Sequence, residues 1–103
     1  MDPESILSLD TVIHAPNRLA ILSLLISLEE ADFVFLKEST GLTDGNLSTH
    51  LSRLEAEGYI EIRKTFRGKK PHTTCALTEK GRQSFHHYLE QMEQIVRMKE
   101  MIE

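Results

Sequence analysis

The stretch Leu51-Ser52-Arg53-Leu54-Glu55-Ala56-Glu57-Gly58-Tyr59-Ile60, followed by the basic segment Arg63 to His72 and then by Leu77-Thr78-Glu79-Lys80-Gly81-Arg82, decides how this chain folds. Up to Gly58 the pattern is helical, because Leu47, Leu51 and Leu54 fall on one stripe. Past Gly58 the period changes to two. Tyr59, Ile60, Ile62 and Phe66 are interleaved with Glu61, Arg63 and Lys64, and Thr73 to Leu77 is a second β-compatible run. Arg67-Gly68-Lys69-Lys70-Pro71 lies between them as a hairpin tip. Thr78 then caps a last helix, whose apolar positions Phe85, Tyr88, Leu89, Met92, Ile95, Val96 and Ile102 follow three-and-four spacing.

Upstream, Thr43 or Asp44 caps the helix that carries Leu47. Asp32 caps another, running from Phe33 to about Thr40, and Gly41 supplies the left-handed residue that ends it, with Leu42 tucking inward. Two short helices joined by a brief turn around a glycine fit a helix-turn-helix. Pro16 opens an earlier helix whose Leu19, Ile21, Leu22, Leu24, Leu25, Ile26 and Leu28 are apolar on nearly every side, the pattern of an element buried by several neighbours. Before it, Ile6, Leu7, Leu9, Val12 and Ile13 predict a short amphipathic helix that stops near His14, since the residue before Pro16 is pushed out of helical conformation. The expected fold is mainly α with a small antiparallel β-hairpin. One domain over residues 1–103 is expected, with an N-terminal helix over 1–14, a core over 15–82 and a long C-terminal helix over 83–103.

The 103 residues are 40% hydrophobic and 27% charged, ordinary for a globular chain. No apolar run approaches the roughly 18 residues of a membrane span, and Met1-Asp2-Pro3-Glu4 lacks the basic opening of a secretory signal, so a cytoplasmic protein without membrane partners is expected. The single cysteine, Cys75, has no intrachain partner and reads as a small apolar filler in a strand.

The net charge of −4 hides a dipole. Residues 1–43 carry seven acids against Arg18 and Lys37, whereas residues 44–82 carry eight bases (Arg53, Arg63, Lys64, Arg67, Lys69, Lys70, Lys80 and Arg82) against five acids. The tail from Gln83 is acidic again, with four glutamates against Arg97 and Lys99. An acidic body with one basic surface orients a polyanion instead of coating it.

Each helical residue turns about 100°, so Leu47, Leu51 and Leu54 fix the inward direction and leave Gly45, Asn46, Thr49, Ser52 and Arg53 opposite. Asn can grip adenine and Arg guanine through paired hydrogen bonds, and Thr offers a hydroxyl and a methyl suited to thymine. Gly45 removes bulk where a backbone would near a duplex, and Ser48 suits phosphate contacts that set register. His50 lies at the flank, equally suited to a phosphate or base edge and to packing. In the hairpin, Arg67, Lys69 and Lys70 suit phosphate neutralisation or minor-groove insertion, with Gly68 allowing a tight turn. A solvated polar face would explain the helix alone; the adjoining basic turn favours double-stranded DNA.

The chain resembles the small winged helix-turn-helix transcriptional regulators of the MarR/ArsR-like type from about Ala15 to Tyr88. The residues that carry the likeness are Leu47-Ser48-Thr49-His50-Leu51, Leu54-Glu55 with Gly58-Tyr59-Ile60, Lys69-Lys70-Pro71 in the wing, and Leu77-Thr78 with Gly81-Arg82. The resemblance implies a dimeric, prokaryotic-type DNA-binding regulator or repressor whose terminal helices pair subunits. Ile6, Leu9, Ile13, Phe85, Tyr88, Leu89, Met92, Ile95, Val96 and Ile102 are the residues expected at that interface, since the last helix runs past what one small wing can cover. The cysteine pair by which thiolate-type ArsR sensors hold metal is missing.

His87 and Glu90 are three apart on a helix and beside His86, but two ligands do not make a metal site; His14 and His72 could join them only through folding or dimerisation. Cys75 has no local base, and Gly41 and Gly45 lack a phosphate-loop pattern, so neither a catalytic residue, a metal nor a cofactor is expected. The residues name no small-molecule effector. The reading from another class is a winged helix that docks on an acidic protein without reading DNA sequence.

Overall fold

A computed structural model describes residues 6–102. In chain order its elements are α1 (Pro16–Leu28), β1 (Glu30–Asp32), α2 (Phe33–Thr40), α3 (Asp44–Ala56), β2 (Ile60–Arg67), β3 (Lys70–Leu77) and α4 (Glu79–Ile102). The caps are those the residue types favour. Asp32 accepts from the Phe35 amide at 2.8 Å, Thr43 from the Asn46 amide at 3.2 Å and Thr78 from the Gly81 amide at 3.0 Å, each meeting an amide that the first helical turn leaves without a partner. Gly41, at φ 73°, closes α2 with its amide on the Lys37 carbonyl.

The sheet has three strands in the order β1-β3-β2, all antiparallel. β2 and β3 run in register from Ile60 opposite Leu77 to Arg67 opposite Lys70, so that Gly68 and Lys69 alone form the turn. The sequence pattern predicts this hairpin but not β1, which adds Ala31 opposite Cys75. Three residues are too few to show alternation, and Asp32 serves both as the end of β1 and as the cap of α2.

The expected N-terminal helix is corrected. Residues 1–5 lie outside the described part, Ile6 and Leu7 are helical, and turns follow from Ser8. The Asp10 carboxylate accepts from the amides of Val12 and Ile13 at 2.9 and 3.2 Å, offering the backbone an alternative to the helical ladder. Those turns carry Val12 and Ile13 into the core, where they join Ile21, Leu22 and Leu25 of α1, Leu36 of α2, the Leu47-Leu51-Leu54 stripe of α3, and Phe85 and Tyr88 of α4. Polar bonds fasten the same segment: Tyr59 donates its hydroxyl to Asp10, His14 Nδ1 meets the Tyr88 hydroxyl at 2.7 Å, and Gln91 donates to Ser8 at 3.2 Å. The Tyr59 hydroxyl is consequently pushed up to about 12, by burial first and by Asp10 second.

Helix α4 leaves this core behind. Its 24 residues span about 36 Å at 1.5 Å each. Beyond Gln91 none of its described residues is buried, and the radius of gyration is 15.7 Å against about 13 Å for a compact chain of this length.

Candidate nucleic-acid interface

Helix α3 presents Gly45, Asn46, Ser48, Thr49, Ser52 and Arg53 to solvent on the side away from its buried leucines. Thr49 turns its hydroxyl proton back to the Gly45 carbonyl at 2.9 Å, which leaves its oxygen lone pairs and methyl outward. At the start of α3, Asp44 is paired with Lys37 at 2.8 Å, so the acid nearest the polar face is partly neutralised.

His50 is half-buried and engaged at both ring nitrogens, with the Asn17 amide 3.0 Å from Nε2 and Arg18 Nη1 3.3 Å from Nδ1. A guanidinium can only donate, so Nδ1 accepts from Arg18. Of the two readings the residue type allows, the packing one is realised: His50 joins α3 to α1.

The hairpin has two chemically different faces. Alternation puts Ile62, Lys64 and Phe66 with their partners Cys75, Thr73 and Pro71 on the side facing α3. Between them and the helix lies an open groove of about 290 Å3 lined by Phe33, Ser48, Leu51, Ser52, Ile62, Lys64 and Thr73. The opposite side carries Arg63, whose guanidinium is held by Glu61 at 3.4 Å and Glu30 at 3.8 Å, both raising its pKa. Arg82 is likewise spent on Glu29 at 3.1 Å, and Lys80 donates to the Glu57 carbonyl. Of the eight bases between residues 44 and 82, Arg53, Lys64, Arg67, Lys69 and Lys70 have neither an acidic partner nor a side-chain hydrogen bond among the described residues, and all five are exposed. Gly68, at φ 63°, allows the turn between Arg67 and Lys69.

The residues that the sequence marks on the helix are exposed on α3 except His50, which turns inward, and those marked on the wing are exposed at the end of the hairpin. Sequence spacing on the helix alone does not find Lys64 or the position of Ser52 on the groove, although counting by twos from Ile60 and Ile62 places Lys64 on the helix side. The residues expected at a subunit contact divide. Ile13, Phe85 and Tyr88 are buried within the single chain, at 0%, 1% and 1% exposure, and have no surface to give a partner. Leu9 and Met92 are half-covered against the same core, Ile95 is half-buried, and Ile6, Leu89, Val96 and Ile102 are exposed. His86 and His87 are both exposed, and no group of three or more metal-ligating side chains converges among the described residues. No described helix is long and apolar enough to cross a membrane.

A three-helix core with a helix-turn-helix and a basic β-hairpin beside its second helix is the arrangement that residues 17–96 share with the winged helix DNA-binding domain family. The chain belongs to that family. An uncharacterised protein of Methanocaldococcus jannaschii is 41% identical over 84 residues, which cover 82% of this chain and 91% of that protein. Among solved structures, the transcriptional regulator homologue protein from Pyrococcus horikoshii OT3 superposes with a TM-score of 0.82 at 26% identity, covering 91% of each chain. A transcriptional regulator of the MarR family from Enterococcus faecalis V583 reaches 0.69 at 17% identity, covering 99% of this chain and 89% of its own; at that identity the likeness is one of fold. The winged helix family and fold are those of DNA-binding transcriptional regulators, not of enzymes.

Proposed function

We propose that this winged helix protein is a cytoplasmic, sequence-specific regulator that binds its operator as a homodimer and represses by occluding a promoter. Asn46, Thr49 and Arg53 read base edges in the major groove, Gly45 lets the backbone approach, and Ser48 sets register on phosphate. Arg67, Lys69 and Lys70, with Gly68 at the turn, hold the neighbouring backbone or minor groove, and Lys64 and Ser52 extend the contact along the groove between helix and wing. The observation that carries this reading is the groove that α3 and the wing share, where Ser48 and Ser52 face Lys64, on a chain that leaves Arg53, Lys64, Arg67, Lys69 and Lys70 exposed and without an acidic partner among the described residues. A chain of net charge −4 that leaves these five bare is complementary to a polyanion at one place.

The homodimer is supported by α4, whose Leu89, Ile95, Val96 and Ile102 continue an apolar stripe that the described residues leave exposed or only half-covered. Selection of bound fragments from a randomised duplex library tests the whole reading. A palindromic site should emerge, and binding to it should fall steeply with salt. If no sequence is enriched, the winged surface serves an acidic protein partner instead.

A further inference from the structure

Phe66 is out of place for a residue of its kind. Its ring is 72% exposed near the end of the wing, where it sits opposite Pro71 on the side of the hairpin that faces α3. The ring adds nothing to the core, which on this face ends with Ile62 and Cys75. Its surroundings are cationic: Lys64 precedes it on the same face, Lys69 lies in the two-residue turn and Arg67 and Lys70 flank that turn, none with an acidic partner among the described residues. A bare aromatic framed by bare cations is suited to nucleic acid, where cations meet phosphate and an apolar side chain enters between sugars and base steps.

Distance points to the groove. Ile60, buried at the root of β2, and Phe66 lie six residues apart on one face, roughly 20 Å at about 3.3 Å per residue. The major groove that would receive α3 is about 12 Å wide, so a hairpin of that reach is long enough to cross the bordering phosphate backbone to the adjacent minor groove.

We infer that Phe66, backed by Pro71, is an apolar wedge that enters the minor groove beside the major groove read by α3, partly unstacks one base step and bends the duplex. This rests on the proposed DNA-binding function and adds a specificity determinant to it. Because unstacking is easiest at pyrimidine–purine steps, the wing confers a preference for a TA or CA/TG step at its position without a hydrogen bond to any base. Polar and charged wing residues grip the backbone, and the ring reads deformability.

The test uses the full chain with the duplex selected for it, carrying 2-aminopurine at the step under the wing and a fluorophore at each end. Native protein should raise the 2-aminopurine emission and shorten the end-to-end distance. Phe66→Ser should weaken binding roughly tenfold, the loss expected for one aromatic contact to a base. It should also abolish both optical signals and leave the slope of affinity against salt unchanged. Phe66→Leu, which keeps an apolar wedge, should retain most of the bend. Since the ring is outside the core, circular dichroism and melting of both variants should match the native chain. If native protein binds but Phe66→Ser binds and bends equally well, the wedge is wrong and the DNA-binding reading stands. A lowered salt slope, or a change of oligomeric state without DNA, would also overturn it, the first indicating a backbone contact and the second a seat on another copy. Native protein that binds no duplex would remove both proposals together.

Discussion

Arg18 reaches from α1 to His50 on α3, with Nη1 3.3 Å from Nδ1, while the rest of the same guanidinium holds the carbonyls of Val12 and Thr11. One side chain thus fixes the candidate reading helix to the turn that covers the core. Arg18→Ala should cost about 1–3 kcal/mol, because it leaves partly buried acceptors without their donor. Urea unfolding measures it, and a loss below experimental error would mean that the clasp is a surface contact. His50→Ala should weaken binding to all duplexes alike, since α3 would be held less firmly while its outward residues are unchanged.

Helix and wing are separable by the kind of loss they cause. Asn46→Ala, Thr49→Ala or Arg53→Ala should each cost about 1–3 kcal/mol of specific binding and relax preference at particular base pairs. Lys69→Ala or Lys70→Ala should instead weaken binding to every sequence and lower the salt slope by roughly 0.9 for each phosphate that is no longer neutralised. Titrations of matched and scrambled duplexes at several salt concentrations report both. Unchanged preference in the first set, or an unchanged slope in the second, would show that the assigned element does not touch DNA.

What the sequence discloses tracks the range of the interaction. The stripe Leu47-Leu51-Leu54, the caps Asp32, Thr43 and Thr78 and the turn at Gly68 are local, so spacing alone finds them. The N-terminal helix stops short of its expected end near His14 for a local reason too, because apolar spacing from Ile6 to Ile13 does not register that the Asp10 side chain captures two amides. Ile13, Phe85 and Tyr88 show a different blindness: an apolar stripe announces that it will be covered but not whether its own chain or a second one covers it. The His50 clasp depends on residues more than thirty positions away, and no spacing rule connects them.

Gly81 is required by contact, not by backbone freedom. A Cβ there would lie 2.1 Å from the Tyr59 carbonyl oxygen and 3.0 Å from Leu77, at the point where α4 crosses the entrance of β2. The obstructing atom is backbone and cannot swing aside. Gly81→Ala should therefore destabilise by about 3 kcal/mol, the upper part of the usual overpacking range, although alanine is the better helix former. Thermal melting decides, and an equal or higher melting temperature would mean that α4 can move off Tyr59 at little cost.

Cys75 is fully buried on β3, and burial, helped by the negative charge of Glu55, pushes its thiol from 9.0 up to about 11. The unfolded thiol ionises near 9, so between pH 9 and 11 the native state holds a proton that the unfolded state has released. Its contribution to stability is complete below 9 and is lost as pH rises through 11. Tyr59, pushed to about 12, acts in the same direction at still higher pH. Native protein at pH 8 should resist thiol reagents until denaturant is added, and the urea midpoint should fall from pH 9 to 10.5 less steeply in Cys75→Ala. Rapid labelling of the native chain would mean that the strand opens readily.

Subunit pairing should be tested where the chain leaves a surface. Met92 is half-covered against the protein's own core, so a charge there would confuse folding with assembly. Ile95 and Val96 lie past Gln91, the last buried residue described on α4, and Val96 is 65% exposed. Ile95→Glu combined with Val96→Glu should leave the monomer fold intact while placing like charges across any interface formed by two α4 helices. If α4 pairs about a two-fold axis, the recognition helices are set near one DNA turn apart, about 34–36 Å, and the operator is palindromic. The double variant should then sediment as a monomer, melt like the native protein and lose most of its affinity for a full palindrome while keeping that for a half-site. Native protein that sediments as a monomer at micromolar concentration, both free and on the palindrome, would sink the dimer and leave the exposed stripe of α4 to some other partner.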